Sequence, residues 1–404
     1  MRITTLFNKL LNFQGLWVLG LNFALGALIL RVRPRSRVLT CCRCGHRKRG
    51  RFSLRIRRWR HLGIWGQEVW LEGPIRRMRC PRCKAVVTEA VPWARHGSGF
   101  TRVFEDTVAL LAQKLDKTSV VRLTGISWVT VGSIAERVCK EKLDPDRLKG
   151  LRRIGVDEIS FRRGHRYVTV VMDHDRRRVV WAAEGKSSEV LKAFFRELAP
   201  QDLAKIEIVT MDMSAAYQKA VLEMIPHADI AFDHFHLVKL ANDALNEVRR
   251  ELVREAAPAQ RKAIKGTRTA LLYRLDRLPA KHEATLATIS PRGPLGRAYL
   301  LKETFLEILR SPVRIAKPAL QRWLSWAQRS RLAPFVKLGN TIRAHIRGVH
   351  VFLEERMTNG LVEGMNNKIR LLSHRAYGFH SAAPLIATIY LCCGGITLPE
   401  LQLV

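Results

Sequence analysis

The order of strand and helix patterns between residues 151 and 236 constrains the fold of this chain more than any other feature. Three strand-like stretches come first, RRIGVDEISF, RYVTVVMD and RVVWAAEG, with turn-forming residues between them. A helix pattern, SSEVLKAFFREL, is capped by Ser187 or Ser188 and is followed by a buried strand, IEIVTMD, a helix, AAYQKAVLEMI, and a strand, ADIAFDHF. The order β-β-β-α-β-α-β predicts an α/β domain, here within a multidomain α+β chain.

Two acidic residues lie on strands of this region, where burial of charge is costly. Asp157 lies inside IGVDEISF, and Asp212 ends the apolar run of IEIVTMD. An ionised carboxylate in or beside a buried strand normally needs a cation or a basic partner. Each acid taken alone is equally well explained as a strand-end residue that faces water. Together on neighbouring strands, they predict half of a site for a divalent metal ion.

A third carboxylate, Glu363, lies in the segment TNGLVEGMNNKIR near the end of the chain. Asn359 lies four residues before it and Asn367 four residues after it, so a helix would place all three on one face, suited to a metal or DNA ligand. Glu354 and Glu355 compete for this role, but their charged run is typical of an exposed surface. Three carboxylates around two Mg²⁺ or Mn²⁺ ions would suit phosphodiester chemistry, with water or a 3′-hydroxyl as the nucleophile.

Four of the eight cysteines form two Cys-x-x-Cys pairs in the first quarter of the chain. Four thiolates are enough for a closed tetrahedral Zn²⁺ site, and short strand patterns surround the pairs from about residue 38 to 95. Cys42 or His46 is an alternative ligand, and reduced thiols without a metal are the competing interpretation. The predicted ligands of a structural Zn²⁺ ion are Cys41, Cys44, Cys80 and Cys83.

Three helix patterns follow, FEDTVALLAQKL, SVVRLTG and SWVTVGSIAERVCKEKL. Gly125 falls between the second and third, where a helix-turn-helix needs a tight turn. A three-helix bundle without any role in DNA binding is the alternative. Residues on or near the candidate recognition helix that would reach bases or phosphates are Ser127, Trp128, Thr130, Ser133 and Arg137.

The charge of the chain indicates a polyanionic partner. Seventy Lys and Arg residues against 35 Asp and Glu give a formal charge of +35. The basic residues are spread along the whole chain, which favours nucleic acid over a basic tail. After Glu363, three basic residues are candidates for holding the DNA backbone, although a solvated basic helix is the alternative. They are Lys368, Arg370 and Arg375.

An apolar stretch from residue 10 to 30 imitates a signal peptide or a membrane span in length and hydropathy. Three polar residues interrupt it, Asn12, Gln14 and Asn22. One or two buried strands with a bend at Gly20 or Gly26 explain the stretch better. We therefore expect a soluble, cytoplasmic protein.

The motifs described above, in this order and together with FDHFHLVK, resemble the ISL3 family of bacterial insertion-sequence transposases over nearly the whole chain. The resemblance implies an RNase H-like catalytic domain in which Asp157, Asp212 and Glu363 match the DDE triad. Similar families place a helical insertion before the glutamate, and the basic, helical span from about 237 to 350 fits. Asp233-x-x-His236 resembles a pairing found after the second aspartate in related transposases. We interpret it as structural support for the site, with direct binding of a metal ion by His236 as the alternative.

The predicted organisation has four parts: lead-in strands 1–37, a zinc ribbon 38–95, a helix-turn-helix 96–148, and an RNase H-like transposase domain 149–404 with its insertion. We expect a homodimer or larger assembly at the bacterial nucleoid. It would bind double-stranded DNA at terminal inverted repeats, cleave there and join the 3′ ends to target DNA. The alternatives are a DNA-binding regulator with an inactive catalytic domain and a metal-dependent nuclease without strand transfer.

Overall fold

The computed structural model describes residues 3–10, 15–24, 26–64, 66–162, 166–355, 360–376, 378–379 and 381–399. Contacts divide the chain into two compact units. The first unit contains residues 1–144, 374–377 and 383–404, and the second contains residues 145–373 and 378–382. Each unit buries its own apolar cores.

The first unit begins with helix α1 (Ile3–Leu10) and continues with strands. The strands are β1 (Leu16–Ala24), β2 (Ala27–Pro34), β3 (Leu39–Thr40), β4 (Arg47–Lys48), β5 (Ser53–Ile64), β6 (Gln67–Cys80) and β7 (Ala85–Thr88). Within the described residues, the main sheet has the order β1-β2-β6-β5, with β7 also paired to β6, and β3 pairs with β4. Strands β2 and β6 are parallel, and the other pairs are antiparallel.

Strands β1 and β2 form a hairpin in the apolar N-terminal stretch, which confirms the strands expected there. Gly26 makes the bend with φ of 74°, a conformation that favours glycine. In β2, Leu30 and Val32 face the core while Arg31 and Arg33 are exposed, as alternation along a strand requires. Among the described residues, no helix has the length and apolarity needed to cross a bilayer.

Helices α2 (Arg102–Lys114), α3 (Lys117–Thr124) and α4 (Trp128–Lys142) form the helical part of the first unit. A side chain caps the start of each helix: Thr101, Asp116 and Ser127, respectively. Gly125 ends α3 in the left-handed conformation, with φ of 65°. The predicted turn between the second and third helices is therefore confirmed.

The second unit is built on a sheet of strands β8 (Arg153–Arg162), β9 (Arg166–Asp173), β10 (Arg178–Glu184), β11 (Ile208–Met211) and β12 (Asp229–Phe232). Helices α5 (Ser188–Glu197), α6 (Pro200–Leu203) and α7 (Ala215–Met224) lie between the later strands in the chain. The described sheet has the order β10-β9-β8-β11-β12. Strands β8 to β10 are antiparallel, whereas β11 is parallel to both β8 and β12.

This order confirms the β-β-β-α-β-α-β pattern predicted from the sequence, with the four-residue helix α6 as an addition. Ser187 caps α5 through a side chain that accepts from the N–H of Val190, so the first of the two predicted caps is the correct one. Phe194 and Tyr217 are fully buried in the core that these helices share with the sheet. The outcome is the expected chain of mixed helix and sheet.

After β12 the second unit is helical. Its helices are α8 (His234–Glu255), α9 (Pro258–Gly266), α10 (Arg268–Leu272), α11 (Ala280–Ala287), α12 (Pro294–Arg310), α13 (Val313–Arg329), α14 (Ala333–Ala344), α15 (Ile346–Glu355) and α16 (Gly360–Arg375). We call α8 to α15 the helical insertion. Its core includes Trp323, whose ring centroid lies 4.6 Å from that of Phe305 and whose N–H donates to the carbonyl of Leu301 at 2.9 Å.

The last helix, α17 (Ala382–Cys393), packs with the helical part of the first unit. Leu391 and Leu398 share an apolar core with Val108 of α2, and the side-chain amide of Gln113 donates to the carbonyls of Leu391 and Ile396. The domain predicted to run from 149 to 404 therefore does not coincide with a compact unit at its C-terminal end. The physical reason is that α17 is apolar and finds its core beside α2.

Candidate functional site

The two predicted catalytic aspartates lie on neighbouring strands of the second unit. Asp157 is in β8, and the parallel strand β11 pairs Thr210 with Gly155. Asp212 directly follows β11, and its negative charge acts on the carboxyl group of Asp157, so the two acids lie within range of each other's electrostatic field. A side-chain oxygen of Asp212 accepts from the backbone N–H of Ser214 at 3.0 Å. The structure thus brings these two acids together.

The environment of Asp157 opposes its ionisation. The pKa of Asp157 is raised to about 6, chiefly by burial and to a lesser degree by the negative charge of Asp212. Hydrogen bonds from the backbone N–H of Glu158 and from Asn366, together with the charge of His236, act in the opposite direction. A cation held between the two carboxylates would favour their ionised forms.

Asn366 of α16 contacts Asp157, although the sequence analysis did not identify it. It is only 5 % exposed, and its side-chain N–H donates to a carboxylate oxygen of Asp157. Its amide oxygen is buried and has no hydrogen-bond partner among the described residues. Asn367, which the sequence favoured, is exposed and accepts from Arg370 at 3.4 Å. One residue turns a helix by about 100°, so the two asparagines face different surroundings.

Glu363 lies in α16, one turn before Asn366. Its side chain lies outside the part of the chain that the structure describes, and so does residue Asn359. The helical spacing of three would have identified Asn366, because residues i and i+3 are neighbours on a helix as well as i and i+4. The prediction of Asn359 and Asn367 from the sequence rests on the spacing of four residues alone.

Asp233 and His236 stand at the start of α8, directly after β12. Asp233 caps the helix by accepting from the N–H of Phe235 at 3.0 Å, and its other oxygen is 3.0 Å from Nδ1 of His236. This hydrogen bond raises the pKa of His236, and the charges of Asp212 and Asp157 add to the effect. The expected pairing exists, and it lies in the electrostatic field of the two acids; its supporting role stays a prediction.

The four cysteines predicted to bind Zn²⁺ lie together in the first unit. Their Sγ atoms all lie within 4.8 Å of one another. Cys41 and Cys83 are 3.8 Å apart, and Cys44 and Cys80 are 3.6 Å apart. A tetrahedral site with Zn–S bonds of about 2.3 Å has sulfur atoms about 3.8 Å apart. The cluster is therefore compatible with structural zinc, and neither Cys42 nor His46 belongs to it.

The residues predicted to read DNA lie on α4 or at its start, but they differ in what they contact. Ser127 caps the helix, and its hydroxyl lies 2.8 Å from that of Thr130. Trp128 is partly exposed with the Lys117 ammonium 4.8 Å above its ring, and Ser133 is half-buried. Apart from these contacts within the unit, nothing in the structure tests their predicted roles in DNA binding.

Arg137, also on α4, is held within the protein. Its guanidinium donates to the fully buried carboxylate of Glu105 at 2.6 Å, and Arg95 contacts the other oxygen of Glu105 at 3.1 Å. The DNA contact predicted for Arg137 would have to compete with this ion pair.

The three basic residues after Glu363 that are predicted to contact the DNA backbone differ in their surroundings. Lys368 and Arg370 are exposed on α16, and Arg375 donates to the backbone carbonyl of Lys114 at 3.2 Å. Contacts of Lys368, Arg370 and Arg375 with DNA remain a prediction.

Comparison with known proteins places these features in a family. A transposase family model matches residues 154–389, and a model described as the helix-turn-helix domain of transposase family ISL3 matches residues 89–139. The transposase for insertion sequence element IS1557 of Mycobacterium tuberculosis is 41 % identical over 397 residues, covering 91 % of this chain and 89 % of that protein.

A more distant relative has the same extent. The transposase for insertion sequence element IS1001 of Bordetella parapertussis is 29 % identical over 360 residues, covering 87 % of this chain and 88 % of that protein. The transposase model spans more than half of the chain, and the relatives align along most of their own length. The chain therefore belongs to the ISL3 family of transposases.

Proposed function

We propose that this chain binds the terminal inverted repeats of an insertion sequence, cleaves the DNA there and joins the freed 3′ ends to target DNA. The observation that carries the proposal is the pairing of Asp157 with Asp212 on neighbouring strands, contacted by Asn366 from α16. Family membership supports this class of reaction, and the cluster supports our assignment of the reaction to the second unit.

We further propose that the second unit contains an RNase H-like core. Its support is the strand order β10-β9-β8-β11-β12, in which three antiparallel strands are joined by two parallel ones. Asp157 lies on the first strand of this core in the chain and Asp212 at the end of the fourth. Acids at these two positions meet at one place on the sheet, as a shared metal site requires.

The donor set fits Mg²⁺ or Mn²⁺, which prefer oxygen ligands. Asp157 is a buried carboxylate with a raised pKa, and Asn366 offers a buried amide oxygen without a partner in the described residues. We assign Asp157, Asp212 and Glu363 as the ligands. Glu363 comes three residues before Asn366 in the sequence of α16, and this spacing motivates its assignment. Bound divalent ions would activate the attacking oxygen and stabilise the leaving one.

The remaining residues of the site position these ligands. Asn366 donates to one oxygen of Asp157 and the backbone N–H of Glu158 donates to the other, so the carboxylate is held in one orientation in which its remaining lone pairs could bind a metal ion. Asp233 holds the ring of His236 through Nδ1, so that an imidazole with a raised pKa lies near the acids and the phosphate that they would approach. These contacts restrict rotation of the side chains that must hold a fixed geometry.

End recognition is proposed for the first unit, where the helix-turn-helix and a cysteine cluster compatible with structural zinc belong to one compact body. Because two ends must be joined in a coordinated reaction, we propose a homodimer or larger assembly. We place it in the bacterial cytoplasm at the nucleoid, where its DNA lies.

One experiment distinguishes this function from its rivals. Purified protein is incubated with labelled element ends, a target plasmid and Mg²⁺ or Mn²⁺, and the products are separated by size. We expect labelled ends joined to the plasmid. Cut ends without joined product would indicate a nuclease, and bound but uncut ends a regulator. Asp157→Asn serves as the inactive control, and Asp229→Asn, an exposed strand-edge acid paired with Arg347, as the matched neutral one.

A further inference from the structure

A groove in the helical insertion is lined almost wholly by basic side chains. Its lining residues come from α8, α9 and α10, and they are Arg249, Arg250, Val253, Arg254, Lys265 and Arg268. Helices α9 and α10 both pack against α8, so residues separated in the sequence meet on one surface. We call this surface the basic groove. None of its lining residues is acidic.

The acids near the basic groove are too few to neutralise it. Glu247 is shared by Arg250 and Arg254, at 3.3 Å from each. These are exposed ion pairs, which contribute little in water. In the part of the chain that the structure describes, neither Lys265 nor Arg268 has an ion pair with an acid.

Arg249 is buried in the basic groove, so the positive charges around it are unfavourable for its own charged form. It is only 9 % exposed, and its guanidinium donates to the side-chain oxygen of Asn246 at 2.9 and 3.1 Å, a neutral partner. Burial and the positive charges of Arg268 and Arg250 lower its pKa. Like charges held around a buried arginine repel one another and so reduce the stability of the folded protein. Binding of an anionic ligand would offset this repulsion.

The chemistry of the lining indicates which anion fits. Arginine presents a planar set of N–H donors that matches the oxygens of a phosphate, and several cations along a groove match a repeating polyanion better than a single small ion. The groove also lies away from the acids. Arg249 is fifteen residues after His234 in α8, or about 22 Å along the helix axis at 1.5 Å per residue.

We propose that the basic groove binds the phosphodiester backbone of duplex DNA, independently of base sequence and separately from the catalytic acids. This inference rests on the proposed function in taking DNA as the ligand. It adds a second place in the second unit where DNA is held, on the helical insertion rather than on the sheet.

The test is the salt dependence of binding to a short duplex of arbitrary sequence that lacks element ends, with the full chain and without added divalent ions. The variant is Lys265→Gln with Arg268→Gln. Each phosphate contact contributes about 0.9 to the slope of log affinity against log salt concentration, so the slope should fall by roughly 1 to 2. Affinity at low salt should fall at least about tenfold.

A matched control removes the same number of charges nearby. Lys262 and Arg277 are exposed residues of the same insertion that do not line the groove. Lys262→Gln with Arg277→Gln should leave the slope close to that of the parent protein. Arg268→Lys keeps the charge and should also keep the slope. Equal losses in the variant and the control, or no loss in the variant, would overturn the proposal.

A small free anion is the alternative ligand, and a second measurement separates it from DNA. Inorganic phosphate is added to the parent protein and to the Lys265→Gln, Arg268→Gln variant, and thermal stability and duplex binding are followed. Stabilisation of the parent alone, with unchanged duplex affinity in the variant, would assign the groove to small anions and reject DNA. Since these measurements require no cleavage, a protein that joins no ends can still confirm the basic groove, and an active one can still refute it.

Discussion

Two clusters of buried polar groups, one in each unit, differ in how completely their members are paired. In the first unit, Glu105 is fully buried and accepts hydrogen bonds from Ser98, Arg95 and Arg137. The four cysteine sulfurs also face one another, with no ligand position left over for a substrate. The buried carboxylate of Glu105 is therefore paired within the unit, and removing one partner of such a pair is destabilising.

At the acidic site of the second unit, the buried polar groups are less completely paired. Asp157 has a pKa raised by burial, and the amide oxygen of Asn366 has no partner among the described residues. Such groups cost stability unless a ligand completes them, which is why they mark functional sites. Substitutions at the first kind of cluster should therefore reduce the free energy of unfolding, and substitutions at the second kind should reduce the reaction rate.

The largest effect is expected from loss of zinc. Replacing Cys80→Ser and Cys83→Ser removes two of four thiolates, and structural zinc contributes on the order of 10 kcal/mol to folding of small zinc domains. We expect the parent protein to contain one zinc per chain and the double variant to contain none and to melt at lower temperature. Elemental analysis and thermal unfolding measure both. Cys42→Ser, outside the cluster, is the control; a double variant as stable as the parent would reject the structural role.

The next largest effect concerns the acids and should appear in the rate alone. Asp157→Asn, Asp212→Asn and Glu363→Gln each remove a proposed ligand, and joining should fall by at least about a thousandfold, or about 4 kcal/mol. The free energy of unfolding of Asp157→Asn should not fall, because burying an amide costs less than burying a carboxylate.

Two glutamates serve as controls for the acids. Glu354 is paired with Lys317, and both Glu354 and Glu355 are exposed, so Glu354→Gln and Glu355→Gln should join ends at nearly the parent rate. A folded Glu363→Gln protein with parent activity, or an inactive Glu354→Gln or Glu355→Gln protein, would contradict the assignment of the third ligand.

The sequence predicted those parts of the fold that local interactions determine. Gly125 ends one helix and Ser127 begins the next, both through contacts within four residues, and both were read correctly. The order of strands along the chain around Asp157 and Asp212 is predicted by the pattern of apolar residues and by the turn-forming residues between the strands. The four cysteines were found because their spacing is specific to metal sites.

Contacts between distant residues were not predictable in the same way. The position of Arg137 on α4 predicts a contact with DNA, but its neighbours in the sequence do not indicate the ion pair that it forms with the buried carboxylate of Glu105. The sequence around Leu391 does not indicate that this residue packs in the core with α2, because an apolar helix has the same sequence pattern whichever core it joins. The basic groove likewise depends on how α9 and α10 fold back on α8.

A smaller effect is expected in the first unit, whose free energy of unfolding should depend on pH because His61 is buried there. His61 is buried, its Nδ1 lies 2.9 Å from the hydroxyl of Thr101, and burial lowers its pKa to about 4. The unfolded chain binds a proton near pH 6.5 but the folded chain does not, so stability falls as pH drops from about 6.5 towards 4. The loss between pH 7 and 5 should be about 2 kcal/mol.

Urea unfolding at both pH values, with zinc in excess, measures this loss. His61→Gln keeps a polar group beside Thr101 but cannot titrate, so its loss should be smaller than that of the parent by about 2 kcal/mol. Any protonation of the cysteine thiolates is common to both proteins and cancels in the comparison. Identical losses in the two proteins would mean that His61 is not the group responsible.

The smallest effect separates two adjacent asparagines of α16 and bears most directly on the contrast between the units. Asn366 donates to Asp157 from a buried position, whereas Asn367 is exposed and accepts from Arg370. Groups that orient a metal ligand typically change activity by 10- to 100-fold when removed, so Asn366→Ala should slow joining by about tenfold, or about 1.4 kcal/mol, without abolishing it.

Asn367→Ala is the matched control, because it removes the same side chain one residue further along the same helix. Its rate should stay within about twofold of the parent rate, since an exposed amide with one long hydrogen bond contributes little. If Asn366 instead stabilised the fold, as Glu105 does in the first unit, Asn366→Ala would lower the free energy of unfolding and leave the rate of the folded protein unchanged. A slower Asn367→Ala protein beside a normal Asn366→Ala protein would mean that the face of α16 assigned to the acids is the wrong one.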